Sequence, residues 1–205
     1  MKEFNLESIR NKVLILTNGR RSEKNYFELI KSNYSSPYEI NIKFMKGAPK
    51  YLAQYAIGLK DGYNKIFIVV DVDQFDSNIL ETETLLKLHK NTIYLILSNI
   101  SFEVWLVNHY KQFSSHKTVN ELIDDIDEYL KSQGSKTKYA KNDKDTIEKY
   151  FINNMTIAAK NTKLLYQRLL RDYNIVNRKP PRIIDLISSS TMYRVVEELK
   201  LIKKD

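Results

Sequence analysis

There is no cysteine in these 205 residues, which excludes disulfide scaffolds and Cys-based zinc sites. Five Gly and four Pro leave little room for long flexible linkers. Histidine is scarce too: His89, His109 and His116 form no metal-binding spacing such as HxxxH. Neither GxxxxGK nor GxGxxG occurs, so the usual nucleotide loops are missing. No apolar run approaches the ~20 residues of a membrane helix. The opening MKEFNLESIRNK has no long apolar core of the secretory kind. A cytoplasmic protein without membrane contact is expected.

What the chain does have is a hydrophobic content of 42%, which supports a sizeable folded core. Its formal net charge is +8. That excess is uneven, +2 over residues 1–110 and +6 over 111–205. A polyanionic partner, met mainly by the C-terminal half, would account for this, as would a Lys-rich solvated surface.

Short apolar runs at Val13–Leu16, Ile66–Val70 and Ile93–Leu97 read as strands buried on both faces. Ile40, Ile42 and Phe44 alternate with polar residues, as on a half-exposed strand. Helical patterns separate these runs. Tyr26, Phe27 and Ile30 line a helix from about Glu23, and Pro49 opens another that carries Leu52, Tyr55, Ala56 and Leu59. A third has Leu85, Leu86 and Leu88 on its core face, and an apolar fourth runs from Phe102 to Phe113. This alternation predicts an α/β fold with a mainly parallel four-stranded sheet flanked by helices. The strand signal disappears after about residue 114. The chain therefore divides into a core over residues 1–113 and a helical extension over 114–205 packed on it. Within the extension, helices are expected at 119–130, 144–152 and 155–172. The last helix is capped by Ser188–Thr191 and has Val195, Val196, Leu199 and Ile202 on one side. Arg178–Arg182 forms a basic turn.

Four stretches carry candidate chemistry. The central strand ends in Asp71-Val72-Asp73, and residues two apart on an extended chain point the same way. The two carboxylates can share a hard cation such as Mg²⁺ or Mn²⁺, or can simply form a solubilising turn. Thr17–Ser22 joins a strand to a helix start through Gly19, beside Arg20 and Arg21. This suits a phosphate at the helix N-terminus, and equally an ordinary tight turn. Glu103 opens the apolar helix and either satisfies helix N–H groups or reaches the cation of the Asp pair. The polar loop Lys131–Lys144 either grips phosphates, lending Tyr139 for stacking, or is an exposed connector. His109 is expected to pack in the core. The acidic cluster Asp124, Asp125, Asp127 and Glu128 reads as a solvated helix face.

Three blocks together resemble one family. Ile15–Phe27, ILTNGRRSEKNYF, is similar to the strand followed by CEGEKTEPNYF of the RloB family, bacterial proteins whose core resembles Toprim domains. Val69–Phe75, VVDVDQF, is similar to its VxDxDxF. Ser98–Leu106, with His109-Tyr110, is similar to its SNPCFELWLLLHF. A weaker match lies at Ser190–Leu199. Members are linked to restriction and abortive-infection loci. The resemblance implies a Toprim-like, metal-dependent nuclease of DNA or RNA in antiphage defence. Asp71 and Asp73 would hold Mg²⁺ or Mn²⁺, and Glu103 would add a ligand or an orienting contact. Asn18, Gly19, Arg20, Arg21, Lys138 and Lys141 would meet phosphate. There are departures: the family's first-strand Glu aligns with Asn18, and its prolines with Lys24 and Ile100. Asn neither takes nor gives a proton at working pH, so Glu23 would have to stand in. The alternative is an inactive module that binds nucleic acid or a partner protein and regulates defence. Metal-dependent phosphoryl transfer on small nucleotides is a third class. Expected partners are nucleic acid, a partner ATPase or defence protein, and a second copy of the chain.

Overall fold

Val13 to Thr17 are all buried, and the reason is what lies on either side of them. In the computed structural model, which describes residues 11–72, 76–112, 117–177, 181, 185–186 and 188–204, strand β1 (Lys12–Thr17) is hydrogen-bonded in parallel to β3 (Glu39–Phe44) and to β4 (Lys65–Asp71). Strand β4 pairs in parallel with β5 (Ile93–Asn99). The sheet order is β3-β1-β4-β5-β6, with β6 (Ser189–Ser190) antiparallel to β5. Strand β2 (Tyr34–Ser35) pairs separately with β7 (Ile202–Lys203).

Strands β1 and β4, and most of β5, are covered on both faces, which is why they read as unbroken apolar runs, whereas the outer strand β3 alternates and is half-exposed. Val13, Ile15, Phe67 and Val69 face one apolar cluster, together with Tyr26, Phe27 and Ile30 of α1 (Ser22–Asn33). Leu14, Leu16, Ile66, Ile68 and Val70 face another, with Leu52, Ala53 and Ala56 of α2 (Pro49–Leu59). The chain steps from β1 outward to β3, then back across β1 to β4. The order therefore reverses between β1 and β4, the place where ligands gather beyond the carboxyl ends of such sheets.

Several expected elements are redrawn. In α3 (Asp76–Leu86), Ile79, Thr82 and Leu86 are buried. Leu88 is 89% exposed, because the helix has ended before it and its period no longer applies. The helix expected over 102–113 is only α4 (Glu103–Val107). The Asn108 side chain donates to the Val104 carbonyl at 2.7 Å, and the His109 ring contacts the Trp105 carbonyl at 3.0 Å. Side chains competing for those carbonyls, together with i+3 backbone bonds from His109 and Tyr110, close the helix early.

In the C-terminal part, α5 (Val119–Ser132) opens with a capping box between Thr118 and Glu121. After α6 (Lys144–Tyr150), helix α7 (Met155–Asn177) continues past the expected residue 172. Tyr173, the first of the added residues, lies against the second cluster, as do Leu169 and Leu170 before it. Ser188–Thr191 does not cap the last helix but forms the fifth strand. Thr191 donates its N–H to the Leu97 carbonyl at 2.9 Å and accepts the Leu97 N–H on its hydroxyl at 2.9 Å. This buried strand is two serines long, so it leaves no apolar alternation in the sequence. Helix α8 (Tyr193–Leu199) stops at Lys200, whose φ of 48° is left-handed, and Ile202 beyond it is exposed. Residues 114–205 also share the first core cluster: Leu122, Ile126, Ile147, Phe151 and Val195 sit in it with Phe27 and Trp105. Among the described residues no helix is long and apolar enough to cross a membrane.

Candidate functional site

The carboxyl ends of β1, β4 and β5 lie side by side, and each delivers a polar residue to one spot. At the end of β1, the half-buried Asn18 donates its backbone N–H to the Val69 carbonyl at 3.3 Å. Gly19 follows. A Cβ there would overlap the carboxyl group of Glu23, so the missing side chain is the space the carboxyl occupies. Glu23, in the first turn of α1, is buried. Burial pushes its pKa above the ordinary carboxylate range. Its own backbone N–H and Lys141 pull it back, while Glu103 adds to the rise.

At the end of β4, Asp71 is half-buried and opposite Ser98 of β5. Beyond β5, Glu103 opens α4 with no exposed surface. One of its oxygens, Oε1, accepts from the Tyr139 hydroxyl at 3.1 Å and from Lys141 Nζ at 3.1 Å. The other, Oε2, is buried with no hydrogen-bond partner. Such an atom is costly to leave unsatisfied, so it calls for an explanation.

Tyr139 and Lys141 come from the strap between α5 and α6, residues 133–143. The expectation that Tyr139 offers a stacking face is corrected: the ring is buried, its hydroxyl also reaches Ser22 at 3.4 Å, and its N–H donates to Asp127 Oδ1 at 2.6 Å. The Ser22 hydroxyl in turn donates to the Lys141 carbonyl at 3.4 Å. Burial lowers the pKa of the Lys141 ammonium, but Glu103, Asp71 and Glu23 outweigh it and hold the pKa above 10.5. Glu103 touches this lysine, and Asp71 and Glu23 act on it through their charge.

Of the residues singled out in the sequence, Glu23, Asp71, Glu103 and Lys141 come together, with Asn18 and Gly19 beside them. Arg20, Arg21 and Lys138 are exposed. Asp73 and His116 lie outside the described residues, as does most of the basic turn at 178–182. The expected pairing of Asp71 with Asp73 therefore lies outside the described residues. The partners not foreseen are Ser22 and the inward-pointing Tyr139 hydroxyl; no periodicity in a polar loop marks such a residue. The acidic cluster on α5 is not merely solvated. Asp125 is buried between Lys111 at 2.6 Å and Lys117 at 2.7 Å, and Asp127 holds the strap.

Beneath the site, Tyr26, Phe102, Trp105 and His109 pack edge to face. The His109 Nε2 meets the Tyr26 hydroxyl at 2.8 Å. Burial lowers the His109 pKa from 6.5 to about 4. A histidine whose folded pKa is depressed contributes stability above its unfolded pKa, and that contribution is lost as pH falls from 6.5 toward 4. Denaturation at pH 7 and pH 4.5 is therefore expected to show a loss of about 2–3 kcal/mol attributable to this ring. His109→Gln should flatten the acid side of the profile; an unchanged slope would contradict the assignment.

The resemblance implies a divalent cation. Glu23, Asp71 and Glu103 offer hard oxygen donors of the right chemistry, and Glu103 Oε2 is buried and unpartnered. Among the described residues, however, no group of three or more His, Asp or Glu side chains is placed so that it could hold a metal ion; the Lys141 ammonium is what meets Glu103 there. A family model described as RloB-like protein matches residues 13–199. No curated protein and no solved structure matches.

Proposed function

The chain belongs to the RloB-like family, and from that premise we propose that it is a Toprim-like, metal-dependent nuclease that hydrolyses phosphodiester bonds of DNA or RNA in defence against phage. The observation that carries this reading is the buried, half-satisfied Glu103 carboxyl, close to Glu23 and Asp71 beyond the carboxyl ends of the parallel strands. Asp71 and Asp73, with Glu103 as a further ligand, are the residues that would hold Mg²⁺ or Mn²⁺. Bound there, the cation would polarise a phosphoryl oxygen and stabilise the departing one.

The remaining work falls to the side chains. Asn18 has no proton to exchange, so the proton-handling group is Glu23, whose raised pKa brings it nearer to working pH. Lys141 and the exposed Arg20, Arg21 and Lys138 neutralise backbone phosphates. Tyr139, hydrogen-bonded to Glu103, fixes the orientation of that carboxyl.

The test is cleavage of single- and double-stranded DNA and RNA with Mg²⁺ or Mn²⁺, comparing the purified protein with Asp71→Ala. A loss of about 100-fold or more is expected, the scale of removing one preorganised electrostatic group. Equal cleavage by both would remove Asp71 from the mechanism. A second reading rests on Asn18: a non-cutting module that binds nucleic acid or a partner ATPase and regulates it. It predicts salt-sensitive binding without turnover, and a gain of cleavage in Asn18→Glu.

A further inference from the structure

Strand β3 is the outermost parallel strand and is paired on one side only, with β1. Glu39 and Met45 donate their N–H groups to the Asn11 and Thr17 carbonyls at 2.8 and 2.9 Å. The odd-numbered residues of β3 therefore bond toward β1, and the N–H and C=O groups of Ile40, Ile42 and Phe44 point away from it. Among the described residues no other backbone group bonds to them. An edge of this kind is a template for a further strand unless something blunts it. Strand β3 runs six residues in unbroken register with β1 and contains no Pro.

The sequence along this edge, Tyr38-Glu39-Ile40-Asn41-Ile42-Lys43-Phe44, is a mirror of itself about Asn41 in chemical type. Aromatic answers aromatic, isoleucine answers isoleucine, and acid answers base. We propose that β3 pairs antiparallel with β3 of a second copy of the chain, across a two-fold axis at Asn41, and so joins two five-stranded sheets into one. Tyr38 then stands opposite Phe44, Glu39 opposite Lys43, Ile40 opposite Ile42, and Asn41 opposite its own copy. Ile40 and Ile42, whose polar groups point outward, fall in the hydrogen-bonded pairs. Glu39, Asn41 and Lys43 fall in the other pairs, where facing side chains stand closest. The two-fold axis makes the Glu39–Lys43 pair form twice. The faces match as well: Tyr38, Ile40 and Ile42 belong to the first core cluster, while Glu39 and Lys43 are exposed. Glu39 makes no ion pair among the described residues, and the Lys43 ammonium donates only to the Tyr55 hydroxyl, at 2.6 Å. Moving the axis to Ile40 or Ile42 would set Glu39 against Asn41 or Met45, so the charges select the register centred on Asn41. Across the axis the strands run in opposite directions. The carboxyl ends of β1, β4 and β5 in the two copies therefore face opposite ways, and each copy keeps its own candidate site.

The test is sedimentation of the full chain over a range of concentrations, in which the wild type should dimerise. Glu39→Lys or Lys43→Glu alone sets like charges opposite each other twice and should weaken the dimer about tenfold or more. Glu39→Lys combined with Lys43→Glu should restore it to within about threefold of wild type. The chain has no cysteine, so Asn41→Cys supplies a single thiol whose counterpart is the same thiol on the second copy. Cα atoms in a non-hydrogen-bonded pair stand about 4.5 Å apart, within reach of a disulfide. Oxidised Asn41→Cys should therefore run as a covalent dimer, whereas Lys43→Cys, which faces Glu39, should not. A wild type that stays monomeric at every concentration would overturn the proposal. A dimer that neither single charge reversal weakens would place the interface elsewhere and overturn it too. Failure of the double reversal to restore pairing, or cross-linking through Lys43→Cys as readily as through Asn41→Cys, would overturn the register.

Discussion

Glu103→Gln is expected to lower cleavage by about 100-fold or more while leaving the melting temperature unchanged or higher. The two effects have one cause. Glu103 has no exposed surface, and only one of its oxygens is hydrogen-bonded. Burying a carboxyl beside Glu23 costs desolvation and repulsion, which show in the raised Glu23 pKa. Glutamine keeps the shape and an oxygen for Tyr139 and removes the acidic group, so the folded state loses little. The site loses the donor that draws Lys141 in and would face a cation. This is the trade expected where a fold keeps an unfavourable group for its chemistry. Glu103→Ala separates the contributions: it leaves the Tyr139 hydroxyl without its carboxyl partner and opens a cavity, so it should melt lower as well as fail to cut. Melting curves and single-turnover cleavage of the three proteins check this. Full activity in Glu103→Gln would reduce Glu103 to a structural residue.

The largest effect on stability is expected from Trp105→Ala, at about 4 kcal/mol. The indole is completely buried in the first core cluster. It stands edge-on to Tyr26 at 6.1 Å and to His109 at 5.1 Å between ring centroids, joining α4 to α1. No small side chain can refill that space without moving the aromatic group beneath the site. For a chain of this length such a loss corresponds to a fall of roughly 10 °C in melting temperature. Urea denaturation measures it directly; a loss under about 1 kcal/mol would mean the core closes around the gap.

The strands were legible in the sequence because burial on both faces leaves an unmistakable record: Val13–Leu16, Ile66–Val70 and Ile93–Leu97 have no polar interruption. The helices α1 and α2 were legible for a related reason, since one apolar face recurs at the helical period. Helix ends were less so. Asn108 and His109 end α4 through side-chain contacts to its carbonyls, and nothing in their spacing announces this. Residues 189–190 hid a strand because two buried serines have neither alternation nor apolar character. Their pairing is supplied by β5, 90 residues earlier in the chain.

The same division runs through the candidate site. By its own composition and order the chain determined the α/β class, the exclusion of cysteine chemistry and the family to which residues 13–199 belong. It also placed Asp71 at the end of an apolar strand and Glu103 at the start of an apolar helix, where the structure has them. Only the tertiary structure decided what meets them. Tyr139 and Lys141 lie 36 and 38 positions after Glu103 in a polar loop, and their arrival depends on how α5 and α6 pack against the core. Gly19 became informative for the same reason: the need for its missing side chain exists only once Glu23 is folded against it. Local patterning records which residues are buried, whereas contacts between distant segments arise from packing and leave no periodic trace.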